Sequence, residues 1–465
     1  MIRPPAARFA YKILLVIAGV ALLGLIPASS LQGAVPFRPV CAADPPPSAA
    51  WAALWFPRES DFAVSAGREL LARPDYPAAQ CYLSLGEKAR PQDPVFQSDL
   101  GTALWGTGQT DQAIAHWERA LVLDPSLDGT LNQLWRGYIQ TRQWTKAEDA
   151  IGRWMARHPD DTEAAFTLAL IQAAHDPGSA LALLDSLNSA PPALQKKSRE
   201  LAAVIRSAIA YRVPEYIFAR TGEELIHLGE PALAEEAFHR AIDRNPDYGE
   251  AYALLGAAQE AAGENPEDSY RRGAALAPKS ALVCMLYGSW LRRKGDLAEA
   301  HWWLMQAWSV TPGDWNVASE LAQVDFALGN VGDAEGWVVQ AVTAHPQEAE
   351  AWIALAGFYI ENDYQIEEGG IPAARQAVVL APTNDRALDL LGLGWFKAGD
   401  FSTAERFFLR ALEQNPDSAV IHLHLGMCLQ EEGRIAEART ELESALALDP
   451  TGPVGKRASS MLAKY

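Results

Sequence analysis

Between about residue 60 and residue 450 the apolar positions recur at helical spacing, in runs interrupted by glycine and closed by proline. The prolines give the frame. Pro91, Pro125 and Pro159 are 34 residues apart, as are Pro278, Pro312 and Pro346, and again Pro382, Pro416 and Pro450; the step from Pro346 to Pro382 is 36. With that proline numbered place 32 of a unit, the other places align. Place 8 is Gly101, Gly222, Gly256, Gly288, Gly392 and Gly426, and place 15 is Gly108, Gly229, Gly263, Gly295, Gly329, Gly399 and Gly433. Place 20 is alanine at Ala79, Ala113, Ala147, Ala234, Ala300, Ala334, Ala404 and Ala438. Large apolar residues occupy places 4, 7, 11 and 24. Each unit therefore reads as a helix, a glycine turn, a second helix and a proline stop. Small residues at places 8 and 20 allow the two helices to approach closely. Helices this short are not stable alone, so each unit must stack on its neighbours.

The stretches "LLGLGWFKAGDFSTAERFFLRALEQNP" (390–416) and "LHLGMCLQEEGRIAEARTELESALALDP" (423–450) show the order of residues best. They resemble the tetratricopeptide repeat, with its large residues, glycine, alanine and proline at fixed places over 34 positions. The resemblance implies an all-α, right-handed superhelical solenoid of about eleven tetratricopeptide-like hairpins, in arrays at 60–192 and 214–450. Residues 193–213 carry helical spacing without the repeat signature and read as a connector, and 451–465 as a C-terminal cap. Some units depart from the pattern. Trp135 replaces glycine at place 8, the unit ending at Pro278 is two residues short, and the one ending at Pro382 is two long, around "ENDYQIEEGG".

The resemblance also implies a protein-interaction scaffold, with a partner segment lying in a groove lined by first-helix places 2, 5, 9, 12 and 13. Those places give Arg68, Trp105, Asn132, Arg136 and Gln140 early in the chain, and Arg292, Arg293, Asn316 and Gln323 later. Asn132 and Arg136 stand one helical turn apart and can address the same strand. Arg136 offers a fork of donors, Asn132 a donor and an acceptor, and Trp105 a flat apolar face. That mix suits the backbone of an extended protein or peptide segment. Elsewhere the groove places are apolar or acidic (Phe166, Leu170, Glu223, Glu260, Glu350), which confines a strongly acidic partner to the two arginine regions. The alternative for all of these residues is an ordinary solvated surface; for Arg292 and Arg293 it is favourable placement of cations at a helix C-terminus.

The first 47 residues differ from the rest. Arg3, Arg8 and Lys12 precede an apolar run of 14 residues, Ile13–Ile26, or about 18 counted from Phe9. Basic flank and apolar run form an export segment within 1–33, either a membrane anchor or a cleaved signal with Ala28-Ser29-Ser30 at its end; 34–59 is a proline-rich linker. Either way the basic flank stays inside and the array lies outside the cytoplasmic membrane. Acidic residues outnumber basic ones, 58 to 39, giving a net charge of −19 that argues against nucleic acid or an anionic lipid surface as partner of the array. Cys41, Cys81, Cys284 and Cys428 are too scattered for a metal site or a disulfide scaffold. Cys284, at place 4, is expected to be buried and inert. Cys81 is expected at the surface, where in an oxidising compartment it could pair with Cys41; two free thiols are the alternative.

Fifteen tryptophans require a reason. Trp117, Trp154, Trp303, Trp308, Trp352 and Trp395 fall at inward or inter-repeat places and read as packing; Trp302, at place 22, should face solvent. "GTALWGTGQT" (101–110) lacks the lysine of a phosphate loop, and His422 and His424, two apart on a helix, diverge too far to share a metal. No constellation of acid, base and nucleophile is present, so the expectation is a non-enzyme without metal or cofactor. The leading reading is an extracytoplasmic, membrane-anchored scaffold aiding assembly of an envelope complex. The alternatives are a cleaved, soluble periplasmic or secreted binding module, and a non-catalytic subunit of an envelope polysaccharide or secretion machine.

Overall fold

A computed structural model describes residues 60–464. Among these residues there are 24 α-helices and no strand. The chain divides into two compact units at Ala203 and Val204, within the helix Pro192–Ala210. The first holds four antiparallel hairpins, from Ser60–Leu71 with Tyr76–Gly86 to Thr162–His175 with Pro177–Ser186. The second holds seven, from Pro214–His227 with Pro231–Arg244 to Ala419–Glu431 with Ile435–Leu448, followed by the helix Pro453–Leu462. Each unit is an all-α solenoid, as the period requires. The apolar run at 13–26, the linker and Cys41 lie outside the described residues; no described helix is long and apolar enough to cross a membrane.

The repeat places act as their chemistry demands. The place-15 glycines Gly108, Gly229, Gly263, Gly295, Gly329, Gly399 and Gly433 all have φ between 76° and 95°. The residue after each closes the turn on the carbonyl five positions back: Glu230 N–H to Leu225 O at 2.8 Å, Asp296 to Leu291 at 2.9 Å and Asp400 to Trp395 at 3.0 Å. Arg142 holds the same left-handed conformation (φ 56°) without being glycine. First helices open on side-chain caps where the sequence supplies them: Asp93, Asp161, Asp314, Asn384 and Ser418 accept backbone N–H groups of the first turn.

Place 8 needs glycine because the large place-24 side chain of the second helix lies against it. A Cβ at Gly101 would stand 2.6 Å from Trp117, at Gly222 2.5 Å from Phe238, and at Gly392 2.7 Å from Phe408. Trp117, Phe238 and Phe408 are each at most 1% exposed. In the third hairpin the arrangement is reversed: Trp135 at place 8 is buried and place 24 is the smaller Ile151. Polar clasps then tie the end of a second helix to the start of its own first helix, Asn415 to Asp385 at 2.8 Å, Asn245 to Glu215 at 3.3 Å and Arg157 to Asp128 at 2.6 Å. The short unit ends in a ten-residue second helix, Glu267–Leu276. The long unit absorbs its extra residues in a π-helical turn, Ile366–Gly370, after Asp363 and Gln365 with positive φ.

The tryptophans pack as expected in kind but not in degree. Trp117 is fully buried, whereas Trp154, Trp303, Trp308, Trp352 and Trp395 are half-buried. Their indoles serve as staples: Trp154 Nε1 donates to Asp161 at 2.8 Å and Trp352 Nε1 to Pro346 O at 2.9 Å, while Trp308 meets Trp337 edge to face at 5.4 Å. Trp302 is 53% exposed and edge-on to Trp303 at 4.7 Å.

Candidate functional site

In the first unit the candidate residues fall on successive first helices. Trp105, from Pro94–Gly106, is half-buried, its ring 5.3 Å from that of Trp117. Asn132, Arg136 and Gln140 lie on Asp128–Gln140, the last two exposed. Arg136 Nε donates to Asn132 Oδ1 at 3.0 Å, and its guanidinium lies 4.5 Å from the centre of the Trp135 ring. The four-residue spacing therefore joins the two side chains to each other. Beside them, Ser98 and Thr130 share a 2.7 Å hydrogen bond and Thr102 donates to Gln133 at 3.1 Å, so this face is a ladder of neutral hydrogen-bonding groups. Arg68 stands apart, its Nε 2.5 Å from Asp99 Oδ2 of the next hairpin. Burial nonetheless holds the Asp99 carboxyl above its ordinary value, against the lowering effect of Arg68.

The second unit differs. Arg292 grips Glu320 of the following hairpin with Nε at 2.8 Å and Nη2 at 3.4 Å. Arg293 grips Glu260 of the preceding one with Nε at 2.6 Å and Nη2 at 2.7 Å, and Tyr270 Oη donates to the same carboxylate at 3.2 Å. Arg292 and Arg293, expected to receive a strongly acidic partner, are thus a pair of forks already closed on carboxylates of their own array. Asn316 is exposed, with its backbone N–H on Asp314 at 2.8 Å, and Gln323 is half-buried. No described contact brings Asn316 or Gln323 together with the arginines.

Two buried carboxylates escaped the sequence reading. Asp325 is 3% exposed at place 11, where other units carry apolar residues; it accepts from Trp337 Nε1 at 2.7 Å and faces His301 at 3.5 Å. A carboxylate at an apolar place was the available signal. Asp389, 7% exposed, meets His424 Nδ1 at 2.8 Å. His422 turns elsewhere, to Glu441 at 2.6 Å and Pro416 O at 2.9 Å, so the two histidines have separate partners. Burial also raises the carboxyls of Glu223 and Glu361 above their ordinary values.

Cys284 and Cys428 are buried free thiols. Burial pushes their pKa values up to about 11 and about 12, which keeps both protonated and unreactive. Cys81 is half-buried and disulfide-bonded. No group of metal-ligating side chains is found among the described residues.

Comparison with known proteins agrees with the repeat reading. Family models described as tetratricopeptide repeat match residues 220–281 and 396–464. Protein O-mannosyl-transferase TMTC3 of Homo sapiens is 22% identical over 372 residues, 78% of this chain and 40% of that protein. Cellulose synthase operon protein C of Xanthomonas axonopodis pv. citri (strain 306) is 28% identical over 183 residues, 37% of this chain and 12% of that protein. The chain thus spans less than half of either curated relative. Among solved structures, yeast Tom70 aligns at TM-score 0.45 with 14% identity, over 88% of this chain and 96% of that one. The APC/C hetero-tetramer Cut9-Hcn1 aligns at 0.42 with 14% identity, over 89% and 91%.

Proposed function

We infer that this chain, a tetratricopeptide-repeat protein, is a non-catalytic interaction scaffold that takes extended protein segments along the first-helix faces of its arrays. The observation that carries the reading is the polar face of the first unit: Trp105, Asn132, Arg136 and Gln140 on adjacent first helices, with Arg136 and Gln140 exposed and Arg136 bound to no carboxylate. The Asn132–Arg136 hydrogen bond is local and exposed, so a backbone amide can replace it at little cost. Capture of crosslinked partners from intact cells tests this. Replacing Asn132 and Arg136 together by alanine should reduce capture at least tenfold, while Trp302→Ala should not. Undiminished capture by the double variant, with loss at Trp302→Ala, would place the partner on the opposite face.

The array is proposed to lie outside the cytoplasmic membrane, held there by its N-terminal segment and serving assembly of an envelope complex. The basic-then-apolar order of residues 3–26 supports this, and so does a disulfide-bonded Cys81, a bond kept in oxidising compartments. Protease added to spheroplasts should cut peptides containing Trp395; their protection would reject the topology. A second reading, a non-catalytic subunit of an envelope polysaccharide machine, is favoured by the similarity to cellulose synthase operon protein C. Deletion of the gene with loss of a surface polysaccharide, restored by the full chain, would select it.

A further inference from the structure

At the C-terminal end of the second unit the first-helix face opens into a cavity of about 280 Å³. Its apolar lining is Phe396 from Asp385–Lys397, Met427 from Ala419–Glu431 and Met461 from Pro453–Leu462. Phe396, Met427 and Met461 are half-buried, so the floor is apolar but open to solvent. Arg457 and Lys464 stand at the mouth, both exposed. Neither side chain has a hydrogen bond or ion pair among the described residues, in contrast to Arg292, Arg293 and Lys397, which hold Glu320, Glu260 and Asp363. Gln430 also lines the cavity, and its Oε1 is buried without a hydrogen-bond partner among the described residues. Such an acceptor costs free energy until a donor reaches it.

We propose that this cavity is a specificity subsite for an extended protein segment that places one large apolar side chain next to an aspartate or glutamate. The inference rests on the scaffold reading above and names the chemistry of the partner. A leucine- or phenylalanine-sized side chain covers Phe396, Met427 and Met461, removing apolar surface from water on both sides. Rotation of the Gln430 side chain brings its Oε1 to a backbone N–H of the segment. The carboxylate beside the anchor meets Arg457 and Lys464, whose side chains have no ion-pair partner among the described residues. The sign of the partner's charge follows from the surroundings: the chain carries a net charge of −19, and Glu223, Glu350 and Glu361 lie on the first helices of earlier hairpins. A basic segment would find carboxylates along most of this face and no reason to settle here, whereas an acidic one is steered to this end. Glu431 lines the same mouth and opposes the carboxylate, which weakens binding and sharpens its position.

The test is selection from a phage-displayed library of degenerate heptapeptides against the full chain, followed by titration of synthetic versions of the selected peptides. The expected consensus is a Leu, Met or Phe adjacent to Asp or Glu. Binding should fall at least tenfold in Arg457→Glu/Lys464→Glu and in Met461→Trp, which fills the cavity and leaves the charges, and should rise severalfold in Glu431→Gln. All four positions are exposed or half-buried at the array's end, and unchanged helicity by circular dichroism checks each fold. A consensus lacking acid or an apolar anchor overturns the proposal, as does binding indifferent to both the charge-reversed and the cavity-filled variant. Peptides lost with Asn132→Ala/Arg136→Ala but not with these variants leave the scaffold reading standing and remove the subsite. No enrichment on the folded chain removes both. A dimer that dissociates in Arg457→Glu/Lys464→Glu, with no peptide selected, assigns the surface to a second copy instead and overturns the proposal.

Discussion

The two units obey one repeat code and use their surface polar groups in opposite ways. In the first, beside the Arg68–Asp99 ion pair, the face of the first helices carries neutral hydrogen bonds, Ser98 to Thr130 and Thr102 to Gln133, and Arg136 donates to the amide oxygen of Asn132 rather than to a carboxylate. In the second, the equivalent places carry ion pairs that cross from hairpin to hairpin, Arg292 to Glu320 and Arg293 to Glu260. Neutral partners are exchanged for a ligand's backbone at small net cost, because each lost bond is replaced in kind. Bidentate ion pairs are geometrically specific and must be broken before they can serve a ligand. The same place in a repeat is therefore available at Arg136 and committed to the array at Arg292 and Arg293, and what decides is whether a neighbouring hairpin sets a carboxylate within reach.

The shared code can be broken most severely at place 8. Gly288→Leu would start from a Cβ 2.8 Å from Leu304, within a seam of side chains that have nowhere to move. Overpacking of this kind costs about 1–3 kcal/mol. Because contacts run only between neighbouring hairpins, hydrogen exchange should rise around Ala281–Lys294 and Leu297–Val310 and leave the first unit unchanged. Equal loss of protection in both units would contradict nearest-neighbour coupling.

A gain is expected where the code is imperfect. Arg142 takes the place-15 turn at φ 56°, a conformation that costs a side chain about 1 kcal/mol relative to glycine. Arg142→Gly should therefore raise the stability of the first unit by roughly 0.5–1 kcal/mol, read as a higher denaturation midpoint. A lower midpoint would mean that the arginine side chain contributes more than the turn loses.

The ion-pair side of the comparison is measured by a double-mutant cycle on Arg293 and Glu260. The side chains keep 43% and 31% of their exposure, so solvent screening limits the coupling to roughly 0.5–1 kcal/mol even with two-pronged geometry. The coupling should shrink in high salt. Zero coupling at low salt would show that the arginine is available to a ligand after all.

The hairpin order, the turns and the small residues at place 8 were legible in the sequence because each depends on a local constraint: a positive φ, a missing Cβ, a missing N–H. The eleven hairpins follow from these alone, and even Trp135 announced its own exception. Which face Arg292 and Arg293 occupy could be read from their register, but not that they would close on Glu320 and Glu260. That depends on the rotamers of residues 28 and 33 positions away, which the repeat period places nearby without specifying their direction. The cavity at Phe396, Met427 and Met461 was missed for a related reason. It lies across the first helices of two consecutive hairpins and the helix that follows them, and no single repeat contains it.

The smallest effect separates the units by pH. In the first, the hydrogen bond from Arg157 holds the Asp128 carboxyl below its ordinary value, with His158 adding to the attraction. A depressed native pKa contributes stability above the unfolded value, about 3.9, that is lost as pH falls through the native one. In the second, burial raises the Glu223 carboxyl, and Arg220 offsets this only in part. Here the native state keeps its proton at a pH where the unfolded chain, with an ordinary value of about 4.3, has released it. Stability then falls as pH rises from that ordinary value to the raised one, and the deficit persists above it. Asp128→Asn should consequently lower the denaturation midpoint near neutral pH and Glu223→Gln should raise it. Both differences should close as pH falls below about 4, the first because the wild-type clasp is lost, the second because the wild-type carboxyl is protonated in both states. Denaturation curves of the three proteins between about pH 7 and about pH 4 read both signs. A Glu223→Gln variant less stable than wild type at neutral pH would show that Arg220 outweighs burial, and that the second unit keeps its acids for the array's own stability.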